Sequence, residues 1–225
     1  MDHGFGVDVP ETLAEFCRPE RLALVVYDMQ VGIVRQLPDG AEVTRAVGEV
    51  LEAARAGGFR VFFTRHMSLP NEVAGVVQLR TAKAWQRART VAEVKPSFPR
   101  DSPQFQIVPE LAPRASEAVL DKIAMSAFVG TPLELALRDC GLLSFAIAGI
   151  ALEVGIEPTV RHATDLGFVP VVVADACGSR DRAAAERALA GFAFAGDALV
   201  TGVATLVPLL RGAMRRREPP EGAGR

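Results

Sequence analysis

The chain has 225 residues, 49% of them hydrophobic and 23% charged, which is enough to bury one substantial core. Its 25 basic and 27 acidic residues leave a formal charge of −2, spread along the sequence. Such a balance offers no field to attract nucleic acid or an anionic membrane and favours a small-molecule partner.

In chain order, residues 1–20 read as a leader without the basic start and apolar run of a secretory signal, and no later stretch approaches the ~20 apolar residues of a membrane span. A cytoplasmic protein is expected. Leu22–Met29 (LALVVYDM) is a short β-branched apolar run ending at a charge, the pattern of a strand buried on both faces. Glu42–Gly58 reads as a helix closed by glycines, Arg60–His66 as a second strand and Ala118–Lys122 as a third. Between them, residues 67–114 hold six prolines around the lone Trp85 and read as a long excursion over the site. Helix Thr131–Gly141, strand Ser144–Ala151, a helix from Glu153 to Gly167, strand Val169–Ala176, helix Arg180–Gly196, strand Ala198–Val203 and a helix to Met214 complete the series. Pro158 falls within or just beyond the first turn of its helix, where missing a backbone N–H costs less. The tail 215–225 reads as disordered. This alternation predicts a single-domain, three-layer, Rossmann-like α/β fold over residues 21–213, with a mostly parallel six-stranded sheet.

In such a sheet, ligands bind beyond the carboxyl ends of the strands, where the strand order reverses. That rule selects Asp28, His66, Lys122, the stretch Gly149–Glu153 and Asp175–Cys177. Asp28 and Lys122 are candidates for a buried ion pair with shifted proton affinities. Lysine is scarce here, with Lys83 and Lys95 the only others. On pattern alone, Asp28 capping a turn and Lys122 reaching to solvent is an equal alternative. Cys17, Cys140 and Cys177 are odd in number and widely spaced, which fits reduced thiols rather than disulfides or a zinc cluster.

Four blocks carry a resemblance to a known family: Leu22–Gln30, ending in Asp-x-Gln; Lys122–Leu133 (KIAMSAFVGTPL); Gly149–Ala163 (GIALEVGIEPTVRHA); and Gly167–Cys177 (GFVPVVVADAC). In this order they resemble the isochorismatase-like hydrolases. The resemblance implies catalytic roles for Asp28 and Lys122, a cis peptide at Ile150–Ala151, and substrate contacts from Gln30, His66, Phe128, Ile150, Ala151 and Glu153. It also implies a homo-oligomer without a cofactor. In the cysteine branch of the family, Asp, Lys and Cys hydrolyse amides; here the cysteine position is Gly155. Glycine supplies no nucleophile, so a covalent thioester route is closed at this position.

The branch that cleaves the enol ether of isochorismate also lacks the cysteine. The resemblance then implies that Asp28, held neutral by burial, protonates a vinyl carbon, that Lys122 orients it or binds a substrate carboxylate, and that backbone N–H groups at the following helix start hold an anion. Helix-to-strand packing is the alternative role for Gly155. His66 and the acidic Glu153 depart from that branch and point to a different substrate. His66 lies near a metal-ligand position of nicotinamidases, yet His3 and His162 lack ligand spacing, so no metal is expected. Two other readings stay open: a catalytically silent binding or scaffold domain, and an amidase using Cys177 as a displaced thiol. With Lys122 and the helix start to favour a thiolate, Gly155→Cys should be alkylated by iodoacetamide faster than wild type while amide turnover stays near background.

Overall fold

The computed structural model describes residues 1–213, so the tail expected to be disordered lies outside it. The leader is not featureless. Strands β1 (Asp2–Gly4) and β2 (Val7–Val9) pair antiparallel. Phe5 and Gly6, at φ 50° and 79°, form the two-residue turn between them, since a tight hairpin needs positive φ at both central positions. Helix α1 (Leu13–Phe16) follows, its start held by a Thr12–Glu15 capping box.

The main sheet begins with β3 (Leu22–Tyr27), every residue of which is buried. Short helix α2 (Val31–Val34), α3 (Gly40–Ala56) and β4 (Arg60–His66) come next. The excursion carries a helix the prolines obscured, α4 (Val76–Gln86), whose residues 76–86 contain no proline. It ends at β5 (Ala118–Lys122). Then come α5 (Leu133–Asp139), β6 (Ser144–Ile150), α6 (Glu157–Asp165), β7 (Val169–Gly178), α7 (Arg182–Ala195), β8 (Leu199–Thr201) and α8 (Val203–Arg211). Pro158 occupies the second position of α6, inside its first turn as expected.

The sheet order is β5-β4-β3-β6-β7-β8 and every pairing in it is parallel. Alternation along β3 divides the core. Leu22, Leu24 and Val26 pack with residues of α3 and α8 on one face, while Ala23, Val25 and Tyr27 pack with α5, α6 and α7 on the other. The expected three-layer, single-domain architecture is therefore the observed one.

The chain leaves β3 toward β4 and β5, then returns to the opposite side of β3 as β6. The reversal lies between β3 and β6, and residues following these two strands flank its crevice. Glycine is required there. At Gly149, φ is 138° and a Cβ would stand 2.8 Å from the Tyr27 carbonyl carbon. Only a residue without a side chain lets the two strands meet at the crevice floor. The far end of the excursion is fixed by Arg55 of α3, whose side chain donates to both oxygens of Glu117, at 2.7 and 2.8 Å, and to the Ala112 carbonyl at 3.0 Å.

Candidate active site

Asp28 stands just beyond β3 with φ 48°, a left-handed conformation that aspartate tolerates better than most residues. Its Oδ1 accepts from the Thr64 hydroxyl at 2.6 Å and its Oδ2 from Lys122 Nζ at 2.7 Å. Lys122 also donates to the Ala124 carbonyl at 3.2 Å and lies 4.4 Å from the centroid of the Tyr27 ring. Both charged side chains are buried. The last residue of β5 and the first after β3 thus meet across β4, as their strand-end positions predict.

Asp28 faces a cavity of about 470 Å³ between the β3 and β6 ends. Its wall includes His66, Phe98, Ile150, Ala151, Glu153 and Gly155. The Ile150–Ala151 peptide is cis, as the resemblance implies. Beyond it, Leu152–Ile156 forms a π-helical turn before α6 begins, where the sequence predicts an uninterrupted α-helix. Such turns recur at functional sites. Here the Gly155 and Ile156 N–H groups both donate back to the Ala151 carbonyl, at 3.0 and 3.1 Å. The anion site anticipated at this helix start is therefore closed at these two donors.

Gly155 lacks a side chain for a reason the sequence hid. A Cβ there would lie 2.6 Å from two ring carbons of Tyr27 and closer still to its phenol oxygen. Tyr27 is buried, and its hydroxyl donates to the Met125 carbonyl. Burial, reinforced by the Asp28 charge, pushes this phenol well above the usual tyrosine range, so it stays neutral. The space a residue-155 side chain would take is thus filled from β3. In hindsight, a hydroxylated aromatic beside the strand-end acid together with a glycine at 155 is the sequence signal for this exchange of volumes.

The remaining expected contacts divide. Ile150, Ala151, Glu153 and His66 line the cavity; Gln30 and Phe128 do not. The Gln30 amide accepts from the His66 N–H at 2.6 Å and donates to the His66 and Phe105 carbonyls at 3.0 Å, so it joins β4 to the excursion instead of meeting a ligand. Phe128 packs against Phe145, Phe168 and His162 in the core. Lys122 reaches the cavity only through Asp28. A neighbouring cavity of similar volume lies under α4, and His66, Trp85 and Phe98 belong to the walls of both.

Burial holds the His66 imidazole below its ordinary 6.5, with Lys122 acting in the same direction and Asp28 opposing. A depressed pKa means the native state resists a proton that the unfolded chain accepts. The associated stability is present above about pH 6.5 and is lost as pH falls below it. Urea unfolding at pH 7.5 and 5.5 should show a larger acid loss for wild type than for His66→Gln. Equal losses would contradict this assignment.

The displaced-thiol reading meets an unfavourable geometry. Cys177 lies in β7, outside the cavity wall, and burial pushes its thiol up to about 12. Among the described residues, no group of three or more His, Cys, Asp and Glu side chains is placed to hold a metal, and no helix is long and apolar enough to cross a membrane.

The isochorismatase domain family matches residues 22–205. The chain belongs to the isochorismatase family. It is 30% identical over 157 residues to the uncharacterised isochorismatase family protein YwoC of Bacillus subtilis, covering 70% of this chain and 77% of that one. It is 29% identical over 183 residues to the ureidoacrylate amidohydrolase RutB of Serratia proteamaculans, covering 74% and 73%. A cysteine hydrolase from Pseudomonas syringae pv. phaseolicola shares the fold with a TM-score of 0.74 at 22% identity, over 87% of this chain and 95% of that one. This member of the isochorismatase family has the family's hydrolase fold.

Proposed function

We propose that this isochorismatase-family protein is a hydrolase that uses the Asp28–Lys122 pair as a proton source and has no cysteine nucleophile. The single observation carrying the reading is the Tyr27 phenol in the volume that a side chain at position 155 would need. With that volume filled, a thiol attack from this position has no place in the mechanism. What faces the cavity instead is a carboxyl group 2.7 Å from an ammonium. Both Asp28 oxygens accept hydrogen bonds, one from the Thr64 hydroxyl and one from Lys122, so the acid acts as part of a hydrogen-bonded pair.

The reaction class that suits a positioned acid without a nucleophile is hydrolysis of an enol ether. The proton moves from Lys122 to Asp28 and from Asp28 to the terminal vinyl carbon. Water adds to the oxygen-bearing carbon of the resulting cation and gives up a proton, which restores the pair. Collapse of the hemiketal breaks the C–O bond and releases an alcohol and a carbonyl compound. A carboxylate on the substrate would find its cations at the rim, in Arg87 and Arg180, which also border the cavity. General acid catalysis of this kind contributes roughly 10²–10⁴-fold.

The test is a turnover screen of isochorismate, simpler enol ethers and small amides, run in D₂O. Enol ether cleavage should place one solvent deuterium on carbon in the carbonyl product, and prior iodoacetamide treatment should leave the rate unchanged. Amide hydrolysis abolished by alkylation would replace this reading with a thiol amidase. No turnover of any compound would replace it with a binding protein.

A further inference from the structure

Eight large apolar side chains among the described residues are more than half exposed, and six of them sit on two elements. Phe5, Val7 and Val9 belong to the β1–β2 hairpin; Val76 and Val77 open α4, and Val73 lies in the turn before it. Apolar side chains scattered singly over a surface are ordinary, whereas a cluster marks a contact. Neither element is secure without one. A two-stranded hairpin and an 11-residue helix are each marginal alone in water, and α4 has no buried residue.

Within the hairpin, Asp2 pairs with Val9 and Gly4 with Val7, which puts both valines on one face. Phe5 holds φ 50° in the turn, a conformation that asparagine or glycine adopts at lower cost, and its ring is fully exposed. A bulky side chain kept there gains nothing inside its own chain. On α4, Val76, Arg80 and Arg87 share the outer face at helical spacing, with Lys83 beside them, while Thr81, Ala82 and Trp85 line the cavity under the helix. The two elements have opposite charge. Residues 1–20 hold five acids and one base; residues 76–100 hold six bases and one acid.

We propose that the β1–β2 hairpin of one copy seats on the outer face of α4 in a second copy, and that a two-fold axis returns the same contact. Phe5, Val7 and Val9 meet Val73, Val76 and Val77, and the carboxylates of the leader face Arg80 and Lys83. The hairpin does not cover the helix of its own chain, since both stay exposed. An anionic polymer or membrane would suit α4 alone and leave an acidic hairpin bare; a second copy covers both. The contact also reaches the candidate site. Trp85, Gln86 and Arg87 of α4 line the Asp28 cavity, so each arm braces a wall of its partner's cavity.

Light scattering at micromolar concentration, beside the emission of Trp85, tests the exchange; as the lone tryptophan, Trp85 reports on α4. Wild type is expected to contain an even number of chains. Asp2→Lys/Glu11→Lys and Arg80→Glu/Lys83→Glu should each raise the dissociation constant roughly ten-fold or more, by setting like charges against each other, and should move Trp85 emission to longer wavelength. An equimolar mixture of these two proteins should associate again, because each reversed arm then meets a reversed helix. Repair of either fold cannot produce that recovery. Phe5→Asn suits the turn better than phenylalanine and should still weaken association. A wild type that scatters as a single chain would overturn the proposal, as would reversals that leave the mass unchanged or a mixture of folded variants that does not recover.

Discussion

Gly155→Cys alone is expected to lower the thermal midpoint by about 6 to 12 °C, because the new Cβ overlaps a ring that cannot yield. Overpacking a rigid core costs about 3 kcal/mol at the upper end of its usual range, and each kcal/mol shifts a domain of this size by about 2–4 °C. Tyr27 is 1% exposed and held at its tip by Met125 and across its face by Lys122. The sequence-based expectation of a tolerated, reactive thiol at 155 is therefore revised. Tyr27→Val is expected to cost stability too, through the volume it removes. The double variant Tyr27→Val/Gly155→Cys should be more stable than the sum of the two losses, with a favourable coupling of about 1–3 kcal/mol. It is also the variant in which iodoacetamide should label residue 155. A single Gly155→Cys protein as stable as wild type would show that the tyrosine moves freely, and would remove the main support for the proposed chemistry.

Lys122→Met should destabilise the protein by about 3–5 kcal/mol, since it strands the Asp28 carboxylate away from water without its ammonium. The Lys122 side chain is 0% exposed and that of Asp28 6%, so solvent does little to compensate. Asp28→Asn should carry a comparable penalty for the opposite reason, an ammonium left without its counter-ion. Asp28→Asn/Lys122→Met removes both charges and should recover most of the loss. Turnover should not follow stability. All three variants should lose roughly 10²–10⁴-fold, because the double restores packing but supplies no acid. Urea unfolding beside initial rates checks this, and a double variant that regained activity with stability would show the pair to be structural only.

The Asp28–Lys122 pair was marked in the sequence by strand-end position and by the rarity of lysine, signals that left a solvent-facing alternative equal until the family resemblance favoured the pair. The parallel sheet was legible because strand-length runs alternate with helical ones. What escaped was the content of individual side chains. In a period-two reading Tyr27 is one more buried position of β3, and nothing local says that its phenol fills space 128 residues farther along. Gln30 sits where a ligand contact was expected, but an amide carries a donor and an acceptor in the arrangement of a peptide group, and the backbone of β4 takes both. Phe128 was drawn toward the site by its motif, while three aromatic neighbours hold it in the core. The π turn escaped because the additional residue changes no apolar spacing strongly enough to be read.

The reversal of strand order has a consequence for how this cavity comes into being during folding. Asp28 and Lys122 are separated by 94 residues in sequence, and β3 finds its second neighbour only after the excursion, β5 and α5 have been made. Contacts of such long range carry a large loop-closure entropy, so they form late and together. The cavity has no locally folded precursor: its floor, acid and rim become one object when β6 docks on β3. Opening it completely then requires separating the middle of the sheet, which ties exposure of the buried pair to the cooperative unfolding of the whole domain rather than to fraying at an edge.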